Sequence, residues 1–295
     1  MPQKKLGLAL GGGGSRALCH LGVLTALENA GIEIHAVAGN SMGALIGAVY
    51  AHRGDAAQTR REVAQFFTAD RAFTKSKGDG LTRGNGFFIY AKRCLRSLAI
   101  SLVLSFRNGF LRGNPCAQAI AALAPALSIE DLPLPFASVA LNLTDGKLEN
   151  FTAGDLRSAL TAGTNIGVVF KPFAWRGKMY IDAAPVRSVP AAEARALGVE
   201  VVLAVDIRSP LPENYAVQNG MDVVMRLEQI ESKMLNDQTL AAADLVVRPP
   251  VSQIFWGDFS RAAEIIAIGE QATNAALPQL RRLLAADSQQ LTIDN

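Results

Sequence analysis

Short, nearly unbroken apolar runs alternate along the chain with stretches in which apolar residues recur at helical spacing. Leu6–Leu10 (LGLAL), Ile34–Ala38 and Val199–Asp206 are too short for helices and lack a polar face, so they read as strands buried on both sides of a sheet. After the first run, Leu18, Leu21, Gly22, Leu24, Thr25, Leu27 and Glu28 follow a helical period that stops at Ala30-Gly31. After the second, Ala44–His52 reads as a helix, and helical stretches return at about 218–235 and 259–286. Tyr180 and Ile181 read as a strand ending at Asp182. Strand-helix alternation of this kind predicts an α/β core with a mostly parallel sheet.

The junctions carry the candidate chemistry. Gly39-Asn40-Ser41-Met42-Gly43 joins the second strand to its helix, a sharp turn that would hold the Ser41 hydroxyl clear of the backbone. Gly39 and Gly43 allow the tight bend and the close approach of a substrate. Gly11-Gly12-Gly13-Gly14-Ser15-Arg16 joins the first strand to its helix, leaving free N–H groups at a positive dipole end that favours an anion. A Walker loop would need Gly-Lys-Ser/Thr, which is absent. A dinucleotide loop would want a third glycine where Ala17 stands, and an acid where the second strand ends in Gly39-Asn40. The oxyanion of an acyl-transfer intermediate is the one candidate that uses this loop and Ser41 together.

A serine hydroxyl needs a base. The chain has three histidines, His20, His35 and His52, and none follows position 52. The α/β-hydrolase order, with histidine last, is therefore unavailable. His52 falls about three turns down the helix that Ser41 opens, and His20 and His35 read as structural. A carboxylate must act on the serine directly.

LALGGGGSRALCHLGVLTALENAGI followed by VAGNSMGALIGAVYA resembles the opening of the bacterial patatin-like phospholipases. Phe110–Asn114, Ser128–Phe136, Leu141–Gly146, Ala243–Pro249 and Asp258–Arg261 resemble later segments of that family. The resemblance implies a three-layer α/β sandwich with a central mostly parallel sheet. It implies Ser41 as nucleophile and Asp182, in Met179–Ala184, as the other half of a Ser-Asp dyad. Gly12, Gly13 and Gly14, with Met42, would supply the oxyanion N–H groups; Arg16 would order the loop or meet a phosphate headgroup. No metal or organic cofactor is expected. Three places depart from the family pattern. Ala183 stands where glycine is usual, a substitution that would cost on the order of 1 kcal/mol if φ there were positive. Ala17 replaces a loop glycine, and Ala162–Gly167 differs from the usual segment before the dyad strand. These bear on rate and substrate range.

Composition completes the expectations. With 295 residues, 49% hydrophobic and 19% charged, and no repeat or linker-like stretch, one domain over 1–295 is expected. Cys19, Cys94 and Cys116 are scattered and fit reduced thiols. Met1–Lys5 leads straight into the first strand, leaving no room for a signal peptide, so a cytoplasmic location is expected, peripheral at the inner membrane face. The net charge of +3 is uneven: Arg71–Arg112 holds nine basic residues and one acid, Asp79, so this segment is +8 and the remainder −5. There Lys92, Arg93 and Arg96 would share one helical arc opposite Phe88, Ala91, Leu95, Leu98 and Leu102. This reads as a cap insertion, about 70–112, that meets an anionic lipid surface through about 87–107; plain packing on the core is the alternative. No nucleic-acid motif accompanies the basic residues. The function expected is a lipid acyl hydrolase; the alternatives are a catalytically weak lipid-binding or regulatory relative and a nucleotide-binding α/β protein.

Overall fold

The computed structural model describes residues 3–69, 115–167 and 169–285. The expected cap at about 70–112, with its basic and apolar arcs, lies outside the described residues.

Five parallel strands form the centre of the sheet: β1 (Leu6–Leu10), β2 (Ala36–Gly39), β3 (Phe136–Asn142), β7 (Val201–Val205) and β8 (Leu245–Val247). Three antiparallel strands extend it: β4 (Lys147–Phe151), β5 (Phe173–Trp175) and β6 (Lys178–Ile181). The sheet is thus mixed and mostly parallel.

The two faces of the sheet are built from residues of different size. Leu8, Val37 and Leu203 are paired neighbours on one face, whereas Ala9, Ala38 and Ala204 line up on the other. The large face packs against α1 (Cys19–Asn29), α2 (Met42–Arg53) and the long α9 (Ala262–Leu284). The small face lies under the alanine-rich α7 (Ala191–Ala196) and admits it closely. Three more helices complete the layers: α3 (Ala56–Ala69), α4 (Pro115–Leu123) and α5 (Leu156–Thr164). A short α6 (Ala184–Arg187) follows β6, and α8 (Gly220–Leu240) begins with a capping box. In that box the Asn219 side chain accepts from the N–H groups of Met221 and Asp222, while Asp222 accepts from the Asn219 N–H.

α1 and α9 meet backbone to backbone. A Cβ on Gly22 would lie 2.0 Å from the Ile266 carbonyl oxygen, and one on Gly269 would lie 2.0 Å from that of Cys19. Each glycine sits against the other helix's main chain, so both are needed for the same contact.

The pairing of β3 positions the site. Ser138 pairs with Phe151 of β4 and with Gly39 of β2, so β4 and β2 occupy opposite edges. Leu141 pairs with Leu148 of β4 and with Ile181 of β6. β2 and β6 therefore share one edge of β3, end to end. β2 runs parallel to β3 and β6 antiparallel, so their C-terminal ends point at each other. The residues that follow them are Ser41 and Asp182.

β6 belongs to a hairpin turned by Arg176 (φ 50°) and Gly177 (φ 73°), the two positive φ values of a type I′ turn. Phe151, Trp175 and Tyr180 form an aromatic cluster with centroids 5.3–6.2 Å apart. Lys178 adds ion pairs to Asp145 and Glu149 at 2.9 and 2.8 Å. Among the described residues no helix is long and apolar enough to cross a membrane.

Candidate active site

Ser41 stands at φ 54°, ψ −130°, a conformation L-residues avoid, between the end of β2 and the first turn of α2. Holding a non-glycine residue there costs about 1–3 kcal/mol, and the surroundings enforce it. A Cβ on Gly39 would lie 2.4 Å from Ala44 Cα, and one on Gly43 would lie 2.4 Å from the Leu10 carbonyl oxygen. The two expected supporting glycines are thus steric requirements of the turn. The Asn40 N–H donates to the Leu10 carbonyl (3.1 Å) and the Ala44 N–H to that of Asn40 (3.2 Å), which pins the turn from both sides.

Asp182 follows β6 and is 6% exposed; Ser41 is 8% exposed. The Ser41 hydroxyl lies close enough to the Asp182 carboxyl to stabilise its charged form. The Ala184 N–H (2.8 Å) and the Asn40 side-chain amide (3.1 Å) both donate to Asp182 Oδ1. The Asp182 N–H donates to the Asn165 carbonyl at 2.9 Å. Burial raises the carboxyl above its usual range, and the hydrogen bonds from Ser41, Ala184 and Asn40 pull it part of the way back. Raising a carboxyl's proton affinity by burial makes its charged form a better proton acceptor than an exposed carboxylate.

Two of the three places that depart from the family pattern find physical reasons. Ala183 has φ −83°, so the strain expected there if φ were positive does not arise and alanine fits at no cost. A Cβ on Gly163 would lie 2.6 Å from the Val139 carbonyl oxygen, and one on Gly167 would lie 2.9 Å from Ile181 Cδ1. This segment is pressed against β3 and β6, and so against the strand that ends at Asp182.

The glycine loop packs directly on the serine turn. A Cβ on Gly12 would lie 2.8 Å from Asn40 Nδ2 and 2.9 Å from Ser41 Cβ. Its own N–H, however, is committed to the Ser188 carbonyl at 3.1 Å, which removes Gly12 from the expected set of oxyanion donors. Gly12 supplies close approach instead. Gly13, Gly14 and Met42 have N–H groups with no acceptor among the described residues. Gly14 (φ 58°) is further required because a Cβ would lie within 2.3 Å of the Trp256 carbonyl oxygen. Arg16 donates to the Ile254 carbonyl and to Ser209 Oγ, both at 2.6 Å, tying the loop to the 254–256 segment.

Two supporting residues escaped the sequence reading. Asn40 was read only as part of the serine motif. Asn236 on α8 is buried, accepts from the Ser188 N–H and donates to the Ala184 carbonyl (3.1 Å), bracing the turn that carries the Ser188 carbonyl to Gly12. A lone polar residue on the inward face of an amphipathic helix is the signal that would have found it. A cleft of about 760 Å³ adjoins the pair: Gly12, Ala184 and Ser188 line one side, and Arg16, Ser209 and Lys233 lie among its polar walls.

The histidines lie elsewhere. His35 Nδ1 accepts from the Leu6 N–H at 3.3 Å, and His52 lies in the last turn of α2, at the far end from Ser41. His20 is fully buried behind the glycine loop, with Nε2 2.8 Å from the Gly11 carbonyl; an oxygen acceptor there puts the proton on Nε2. Burial holds its pKa down to about 4 against an ordinary 6.5. An unfolded chain protonates His20 below pH 6.5 while the folded one stays neutral to about pH 4, so stability falls as pH drops through that window. Between about pH 7 and pH 5 the loss is about 2 kcal/mol. Urea midpoints of wild type and His20→Gln at the two pH values check this. Equal acid sensitivity in both proteins would refute it.

Cys19 is a free, buried thiol, as expected for a reduced cysteine, and Cys94 lies outside the described residues. Cys116 lies at the start of α4 near Asp182; burial, and then the charge of Asp182, push its thiol up to about 12.

Comparison with known proteins identifies the family. The family described as patatin-like phospholipase matches residues 8–195, a span that contains both Ser41 and Asp182. Lysophospholipase NTE1 of Yarrowia lipolytica is 25% identical over 301 residues, covering 94% of this chain and 20% of the relative. Lysophospholipase NTE1 of Pyricularia oryzae is 24% identical over 304 residues, covering 94% of this chain and 19% of the relative. The chain thus spans about a fifth of the length of these curated relatives. VipD from Legionella pneumophila, a solved structure, is 14% identical with a TM-score of 0.48, covering 95% of this chain and 67% of that one. The NTE1 relatives are eukaryotic, so the similarity supports the family and not a bacterial branch of it. With the family match running through the glycine loop, the strained serine turn and the facing aspartate over well more than half its length, the chain belongs to the patatin-like phospholipase family.

Proposed function

We propose that this chain hydrolyses acyl esters of lysophospholipids and related lipids through a Ser41–Asp182 dyad. The observation that carries the reading is the strained Ser41 turn, with its hydroxyl in reach of a buried carboxyl and its backbone under the glycine loop. Ser41 Oγ attacks the ester carbonyl and its proton passes to Asp182. The N–H groups of Gly13, Gly14 and Met42 receive the negative oxygen of the tetrahedral adduct. Collapse breaks the bond to the alcohol, and Asp182 returns the proton to that leaving oxygen. A water then gives its proton to Asp182 and attacks the acyl-enzyme. Release of the fatty acid from the second adduct returns the proton to Ser41.

The substrate class rests on two supports. The NTE1 relatives are named lysophospholipases, and the cleft beside Gly12 and Ala184 offers Arg16, Arg208, Lys233 and Arg248 to a phosphate headgroup, against the acids Asp206, Glu228 and Asp237. The test is incubation with a fluorophosphonate probe and mass mapping of the adduct, beside release of fatty acid from lysophosphatidylcholine. Modification of Ser41 with lysophospholipid turnover is the expected result. Labelling confined to another residue would overturn the nucleophile, and labelling at Ser41 without lipid turnover would overturn the substrate class.

A further inference from the structure

From the geometry of the Asn40 side chain, we infer that Asn40 is a positioning residue for the reaction, holding the Asp182 carboxyl in its proton-accepting orientation. The inference rests on the Ser41–Asp182 reading above and deepens it.

Asn40 is fully buried. Its Nδ2 donates to Asp182 Oδ1 at 3.1 Å, and because a carboxylate oxygen there only accepts, the amide orientation is fixed. Its Oδ1 is buried with no partner among the described residues. An amide kept solely for the fold would be expected to use both ends, since an orphaned buried carbonyl destabilises. Asn40 satisfies only the end that faces the acid.

The site leaves this amide little freedom. A Cβ on Gly12 would lie 2.8 Å from Nδ2, so the glycine loop presses on the amide from above. The Asn40 backbone is bonded to Leu10 and Ala44. The neighbouring donor to Oδ1, the Ala184 N–H, comes from the chain just past Asp182. Asn40 comes from the β2 side, so with Ser41 it links the nucleophile's strand to the acid's strand. A hydrogen bond to the charged form also favours ionisation of a carboxyl that burial pushes the other way. The groups facing Asp182 are thus Ser41, Asn40, the Ala184 N–H and, near α4, the Cys116 thiol.

The test compares kcat/KM for a p-nitrophenyl ester across about pH 5–9 in wild type, Asn40→Ala, Asn40→Asp and Asp182→Asn. Losing the amide is expected to move the acid limb of the profile up by about one to two pH units in Asn40→Ala. Asn40→Asp, which fills the same space but places a second carboxyl beside the first, should move it further in the same direction. A residue that only fills space would leave Asn40→Asp like wild type. If Asn40→Asp does not fold, the Asn40→Ala profile decides alone, with thermal unfolding as the check on its fold. Inactive Asp182→Asn together with acid limbs that overlay wild type in both Asn40 variants would overturn the Asn40 role and leave the dyad standing. Wild-type turnover in Asp182→Asn would overturn both.

Discussion

Asp182→Asn lowers ester turnover by about three orders of magnitude or more, and Ser41→Ala does the same, because removal of either half of a nucleophile-base pair disables the other. The fold should survive both changes. Asparagine keeps an oxygen for the Asn40 amide and the Ala184 N–H, which converge on Oδ1. It also removes a buried ionisable group whose folded pKa lies above its unfolded value. Such a carboxyl subtracts from stability once pH exceeds its unfolded value, so Asp182→Asn should unfold at the same temperature as wild type or higher at neutral pH. Ser41→Gly separates strain from chemistry more sharply. Glycine tolerates φ 54°, so this variant is expected to gain about 1–3 kcal/mol while losing all turnover. Thermal melts and initial rates on one set of variants suffice. A dead Ser41→Ala that melts far below wild type would mean that the serine serves the fold, and an active one would remove it from the chemistry.

The largest effect on stability is expected where α1 crosses α9. Gly22→Ala or Gly269→Ala inserts a methyl group 2.0 Å from a carbonyl oxygen of the opposing backbone. No side chain there can rotate away, so one helix must move off the other and off the sheet beneath. Overpacking typically costs about 1–3 kcal/mol and more when backbone must shift, so a loss of about 3 kcal/mol or greater is expected for each. That corresponds to a fall in Tm of about 6–12 °C, or to insoluble protein. Gly31→Ala is the control: it has no atom within 4 Å, and its φ of 69° predicts about 1 kcal/mol from conformation alone. Because the two crossing glycines serve one contact, the double variant should lose less than the sum of the singles. Gly269→Ala and Gly31→Ala with equal melting points would show that the helices can separate at little cost.

What could be read from sequence follows the range of the interactions. The run from Leu6 through the glycine loop, and that from β2 through Ser41 into α2, are local strand-turn-helix codes and were legible residue by residue. Their boundaries moved for local reasons. Ile34 and His35 precede β2 because His35 is occupied with Leu6 of the neighbouring strand. α2 starts at Met42 and not Ala44 because the Ser41 turn delivers the chain directly into the helix, and Gly43 is pressed on Leu10 and breaks nothing. α8 runs on to Leu240, beyond the expected 235, since Asn236 and Leu240 are buried and anchor the final turns. Asp182 was another matter. Its approach to Ser41 depends on β6 joining the edge of β3 that β2 vacates, and no local pattern announces that pairing, so the family resemblance pointed to it. The engagement of the Gly12 N–H was hidden for the same reason, because its acceptor, Ser188, lies in a distant turn.

The end-to-end meeting of β2 and β6 also divides the molecule's responsibilities unequally. Ser41 rides on the rigid parallel centre, whereas Asp182 arrives on a hairpin that joins β3 at two positions, Leu141–Ile181 and Asn142–Tyr180. The aromatic cluster around Tyr180 and the Lys178 ion pairs are what keep that hairpin seated. Segments with few anchoring contacts open at lower free energy than the whole. On the proposed dyad, loosening of this hairpin is expected to part Asp182 from Ser41 before the parallel centre unfolds, so activity should be lost at a lower temperature than the core fold.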